Sequence, residues 1–214
     1  MLPNANHFVI GEDISHLANL GIKGYFAEGD GTPLKDLLKH YIIGRKSFDP
    51  ELSTNDTMRE FLVPYYTAAA AEFIFEYFDL MAQAYRDAPT ANVTWPPNSA
   101  ARGDHRPLDW WRPNSSAYPS KTVIEAGVLL GKATTAAASS LHGVERTMEL
   151  RLSINYLALL RWTDLRSYAT AHKLSWPFGP SQRAAFESFS QVLTANWGEA
   201  GWLGKAPLVS RGHM

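Results

Sequence analysis

Cysteine is absent from this chain of 214 residues, which excludes thiolate zinc sites, a cysteine nucleophile and disulfides. Its absence leaves the compartment open. Charge of one sign is lacking too: 20 Lys and Arg stand against 21 Asp and Glu, for a formal net charge of -1. Neutralising phosphates takes a basic face, so no nucleic-acid partner is expected. Long hydrophobic runs are missing; the longest, near Ala126 to Ala138, is broken by Lys132 and is too short to span a bilayer. The opening Met-Leu-Pro-Asn-Ala-Asn-His has neither a basic n-region nor an apolar h-region. The chain as encoded therefore reads as soluble and cytoplasmic with no membrane partner. Export is expected only if it is a truncated part of a longer protein. Gly29-Asp-Gly31 lacks the third glycine of a dinucleotide fingerprint, and no P-loop, HExxH or GxSxG occurs. The seven histidines are scattered. Neither a metal nor a cofactor is expected.

What is present is ordinary globular material, 45% hydrophobic and 12% aromatic, able to bury roughly 70% of its unfolded surface. Helical periodicity dominates. Glu12 to Leu20 reads as a short helix closed by Gly21. Thr32 and Pro33 are suited to start a second, whose Leu34, Leu37, Leu38, Tyr41 and Ile42 share a face and which Gly44 ends. Ser53 to Asp56 offer caps for a third, with Met58, Phe61 and Leu62 inward and Pro64 near its stop. From Ala68 to Tyr85 the stripe Phe73, Ile74, Tyr77, Phe78, Met81 opposes Glu72, Glu76, Asp79 and Gln83. Periodicity then vanishes between Asp87 and Ser120, where six prolines mix with Trp95, Trp110 and Trp111. Helices resume over Thr122 to Ala138, Val144 to Ala171 and Ser181 to Ala195, with Phe186, Phe189, Val192 and Leu193 inward on the last. Leu150 to Leu165 is apolar around most of its circumference, which suits the central helix of the second half. Glu145, Arg146, Glu149 and Arg151 at the head of that helix read as a solvated end with one i, i+3 pair.

One segment departs from this pattern. Ile22 to Ala27, between Gly21 and Gly29, is a short apolar run of the kind that forms a strand covered on both faces. It leads into Glu28-Gly29-Asp30-Gly31, and in parallel α/β folds chemistry gathers at such strand ends. Glu28 is the candidate catalytic carboxylate and Asp30 a candidate substrate contact. The structural alternative stands beside it: Asp30 turns toward Thr32, and Glu28 caps a helix or pairs with Lys23. Trp110 and Trp111 are placed to stack on sugar rings, with Asp109, Asp104, His105 and Arg106 near for hydroxyls. Equally, such tryptophans pin a long loop to the body of a domain.

A family resemblance runs through these landmarks. Pro3-Asn4, the helix to Leu20 and the run Gly21 to Asp30 come first, then Leu34 to Ile43 and Phe48-Asp49-Pro50. Glu60-Phe61, Tyr65-Tyr66 and Glu76 to Leu80 follow, with a faint return at Val144-Glu145-Arg146 and Leu152 to Leu159. In order and spacing this resembles the domain of unknown function 4838 family. Its members are bacterial glycosidase-like proteins of polysaccharide-utilisation clusters, distantly related to α-glucuronidases. About the first 85 residues carry most of the resemblance.

The resemblance implies that Ile22 to Ala27 is the last strand of a (β/α)8 barrel, with Glu28 at the rim of a sugar-binding face. The remaining strands would lie upstream. Thr67 departs from the family, whose members usually have Gly after the paired tyrosines. The expected fold is mainly α, a helical domain with one or two short strands near the N-terminus, the remnant of a β/α barrel. Residues 1–50 would be the end-of-barrel strand and helix, and 51–214 a C-terminal helical region continuous with it. The expected function is the C-terminal part of a glycosidase-like protein, contributing to a sugar-binding site without catalysing alone; if active, it would be a glycoside hydrolase. Its partners would be carbohydrate or the missing upstream barrel segment. The alternative is a non-enzymatic helical interaction module or homo-oligomer, pairing through an edge strand at Ile22 to Ala27.

Overall fold

Hydroxyl side chains set where the helices begin. Ser53 Oγ accepts from the Asp56 amide at 3.3 Å, Thr67 Oγ1 from Ala70 at 3.2 Å, Ser140 Oγ from Gly143 at 3.1 Å and Ser181 Oγ from Ala184 at 3.2 Å. Each satisfies an amide that the first helical turn leaves unpaired. The computed structural model describes Pro3 and residues 6–25, 33–88 and 117–197, except the side chains of 33–36 and 196–197. Among these residues the elements are α1 (His7–Asn19), α2 (Pro33–Phe48), α3 (Thr54–Tyr66), α4 (Ala68–Asp87), α5 (Ser120–Ala136), α6 (Leu141–Leu160), α7 (Trp162–Ala171) and α8 (Gln182–Trp197).

The core is built around α4 and α5, which pack along each other. Ile74, Tyr77, Phe78 and Met81 of the α4 stripe meet Val123, Ile124, Ala126 and Leu130 of α5, all buried. Burying one such side chain contributes about 1.5–3 kcal/mol. The same core runs from Leu38 and Ile42 on α2, through Met58 and Leu62 on α3, to Ile154 and Leu157 on α6 and Leu165 on α7. Leu152, Phe189 and Leu193 form a smaller cluster where α8 lies on α6. α6 touches α2, α3, α5, α7 and α8, which makes it the helix that the second half packs around, although the stretch read as one central helix ends at Leu160.

The expected N-terminal strands are overturned: no strand occurs among the described residues. Gly21, at φ 76°, terminates α1, and Ile22 to Tyr25 leave it as exposed coil. Ile22 is 47% exposed, the reverse of the buried run expected. A strand must pair its backbone groups with a neighbour. This segment finds a side-chain anchor instead, the Tyr25 hydroxyl bonding Ser47 Oγ on α2. Residues 26–32, including the rest of the expected strand, lie outside the described residues. The paired edge strand that motivated an interaction module is therefore lost for its described part.

Other boundaries shift for local reasons. α2 passes through Gly44 to Phe48, and Lys46 Nζ then ties its end to the carbonyls of Pro50 and Leu52 at 3.0 and 2.7 Å. The expected single helix over Val144 to Ala171 breaks at Arg161, whose guanidinium reaches back to the Tyr118 carbonyl and Ser120 Oγ. Phe186, expected inward, is 58% exposed although it shares the side of α8 on which Phe189 and Leu193 are buried against α6.

Candidate functional site

The junction between α3 and α4 is made by three consecutive residues. Tyr65 and Tyr66 end α3, and Thr67 turns the chain into α4 with φ at 141°. α6 crosses this turn closely at Gly143, where an added Cβ would stand 2.4 Å from the Tyr66 carbonyl oxygen. One turn further along α6, Arg146 Nη1 donates to the Tyr65 carbonyl at 2.6 Å. A guanidinium on the last carbonyls of a helix is favoured by the helix dipole as well as by the bond.

The same guanidinium lies over the Tyr65 ring, 4.1 Å from its centroid. Tyr65 in turn stacks on Phe61 at 4.9 Å, and Phe61 meets Tyr41 of α2 at 5.3 Å. The result is a ladder of three half-buried rings and one cation running across α2, α3 and α6. Polar heads fringe it. Burial and then the neighbouring Glu60 carboxylate raise the Tyr41 hydroxyl above its ordinary pKa, and Glu60 pairs with Arg45 at 3.2 Å. On α6, Glu145 takes His142 Nδ1 at 3.3 Å, and Glu149 follows Arg146 by three residues.

Glu149 is the unusual group. Burial pushes its carboxyl up to about 7, against an opposing pull from Arg146 and with a further push from Glu145. Its charge also raises Tyr65 and Tyr66, although burial is the larger cause for both tyrosines. A carboxyl that exchanges its proton near neutrality beside phenol hydroxyls can donate to, or accept from, a ligand hydroxyl. Among the described residues it is the one carboxyl raised in this way. No group of three or more metal-ligating side chains occurs among them.

Glu28, Asp30, Asp109, Trp110 and Trp111, singled out in the sequence, lie outside the described residues, as do Trp95, Asp104, His105 and Arg106. Lys23, the alternative partner for Glu28, is exposed on the coil after α1. The solvated-end reading of Glu145 to Arg151 is corrected. Glu145 is exposed, but Arg146 is spent on Tyr65, and Glu149 and Arg151 are both partly buried. The signal was available: a helix apolar over most of its circumference leaves its few charged residues no fully solvated side.

The family model described as Domain of unknown function (DUF4838) matches residues 1–79, which include Tyr41, Glu60, Phe61 and Tyr65. Arg146 and Glu149 lie beyond the match. No curated protein and no solved structure matches the chain.

Proposed function

We propose that this chain is the helical, non-catalytic part of a carbohydrate-active protein, and that the α2–α3–α6 ladder is the face that meets sugar. The observation that carries this reading is the convergence of Tyr65, Arg146 and Glu149 with Tyr41 and Glu60 on one half-exposed surface. Sugars are recognised by such a mixture: carboxylates and phenols exchange hydrogen bonds with hydroxyls, and ring edges cover the apolar C–H surface. The resemblance over the first 79 residues supports the setting, since three of the four ladder residues fall within it. Glycoside hydrolysis asks for two carboxyls flanking one bond. The role proposed for this face is binding, without cleavage.

Calorimetric titration with neutral and uronic-acid oligosaccharides of equal length tests the reading. At least one series should bind, and Tyr65→Ala with Glu149→Gln should weaken it by about tenfold, the scale of a lost hydrogen bond to a charged group. Binding that survives the double substitution, or no binding by either series, removes the proposal.

A further inference from the structure

A second polar feature lies on another face of α6, apart from the ladder and independent of the carbohydrate reading. Met148, Arg151, Asn155 and Ala158 are spaced three and four apart, so they form one stripe. Across from it stand the loop Pro177–Pro180 and the α8 residues Ser188 and Val192, enclosing a cleft of about 260 Å³. The loop is held in shape. Trp176 Nε1 donates to the Gly179 carbonyl at 2.8 Å, and Phe178 is buried against Gly127, where an added Cβ would stand 2.7 Å from the ring.

Arg151 lines this cleft with its charge unanswered. Its Nη2 makes one long bond to the Pro177 carbonyl at 3.4 Å, while its Nε is shut from solvent and bonds to nothing. Burial lowers its pKa, and no carboxylate among the described residues counters that effect. The two comparable arginines differ. Arg161 has the Tyr118 carbonyl, Ser120 and the charge of Asp164, and Arg146 has the Tyr65 carbonyl and ring with Glu149 near. Leaving a partly buried guanidinium without an anion is costly, and a ligand carboxylate removes that cost with two parallel bonds.

We infer that the α6–α8 cleft is a binding site for a small organic acid, its carboxylate on Arg151 and its apolar body between Phe178, Pro180 and Val192. Its volume falls just below the roughly 300 Å³ where ligand pockets usually begin, which limits the occupant to about one ring. The apolar walls favour a carbon skeleton over a bare inorganic oxyanion, and Asn155 and Ser188 add polar groups on the rim.

Calorimetry on the full chain with benzoate, benzamide and inorganic phosphate tests this. Benzoate should bind at least about tenfold more tightly than its neutral isostere, and more tightly than phosphate. Arg151→Gln should lose that preference. Arg151→Met should lose it too while melting at or above the wild-type temperature, because it removes an uncompensated cation. Ser188→Phe, which fills the cleft from α8 and leaves Arg151 in place, should also abolish benzoate binding. Equal affinity for benzoate and benzamide overturns the inference, as do tighter binding of phosphate, undetectable benzoate binding, or benzoate binding unchanged by the Arg151 substitutions.

Discussion

Thr67 holds φ at 141°, a region that costs a side-chain-bearing residue of order 1–3 kcal/mol. Two things offset the strain: its hydroxyl caps α4, and its neighbours Tyr65 and Tyr66 are gripped by Arg146 and Gly143 of α6. The Gly that the family resemblance implies at this position would adopt such an angle without strain. Thr67→Gly should stabilise the fold by about 1 kcal/mol, strain relief outweighing the weaker cap and the added chain entropy. Thr67→Ala keeps the strain and loses the cap, so it should cost about 1 kcal/mol. Urea denaturation of the pair decides; a Thr67→Gly protein less stable than wild type contradicts this account of the turn.

Among elements, the crossing of α3 by α6 depends on the backbones meeting at Gly143. Gly143→Ala would press a methyl against the fixed Tyr66 carbonyl and should cost about 2 kcal/mol. Gly131→Ala on α5 meets nothing within 4 Å and should instead stabilise by about 0.5–1 kcal/mol. Melting temperatures that move in the same direction for both substitutions would refute the crossing. Elements whose faces are self-evident were legible in the sequence: the α4 stripe and the Ser53 cap of α3 both appear where periodicity and capping placed them. What pattern alone hid was decided by distant partners. The break at Arg161 depends on Tyr118 and Ser120, and the exposure of Ile22 on there being no neighbouring strand among the described residues. The ladder was hidden for the same reason, since nothing local to Glu149 says that Tyr65 lies beside it, 84 positions earlier in numbering.

At the scale of the whole molecule, two buried groups bend stability with pH in opposite directions. His7 packs on Phe78 with its pKa lowered to about 3 by burial, then by Lys39. Its unfolded value is near 6.5, so the stability it confers is complete above that pH and is lost as pH falls toward 3. The scale is on the order of 4 kcal/mol. Glu149 has the reverse sign: raised to about 7 by burial, its contribution is full below about 4.5 and disappears as pH rises through 7. Its partial exposure reduces this to about 1–2 kcal/mol. Stability should therefore climb from pH 3, climb more slowly from about 4.5 to about 6.5 while the two oppose, and decline gently from there toward pH 7.5. Glu149→Gln should abolish the decline and leave the acid limb unchanged. Urea unfolding at fixed pH values checks it, and a decline that persists in Glu149→Gln assigns it elsewhere.

The most direct test of the carbohydrate-binding claim is amide chemical-shift mapping of the labelled chain during oligosaccharide titration. Saturable shifts should concentrate at Tyr41, Glu60 to Tyr65 and Arg146 to Glu149. Shifts confined to other surfaces, or a spectrum unmoved at saturating sugar, would contradict it.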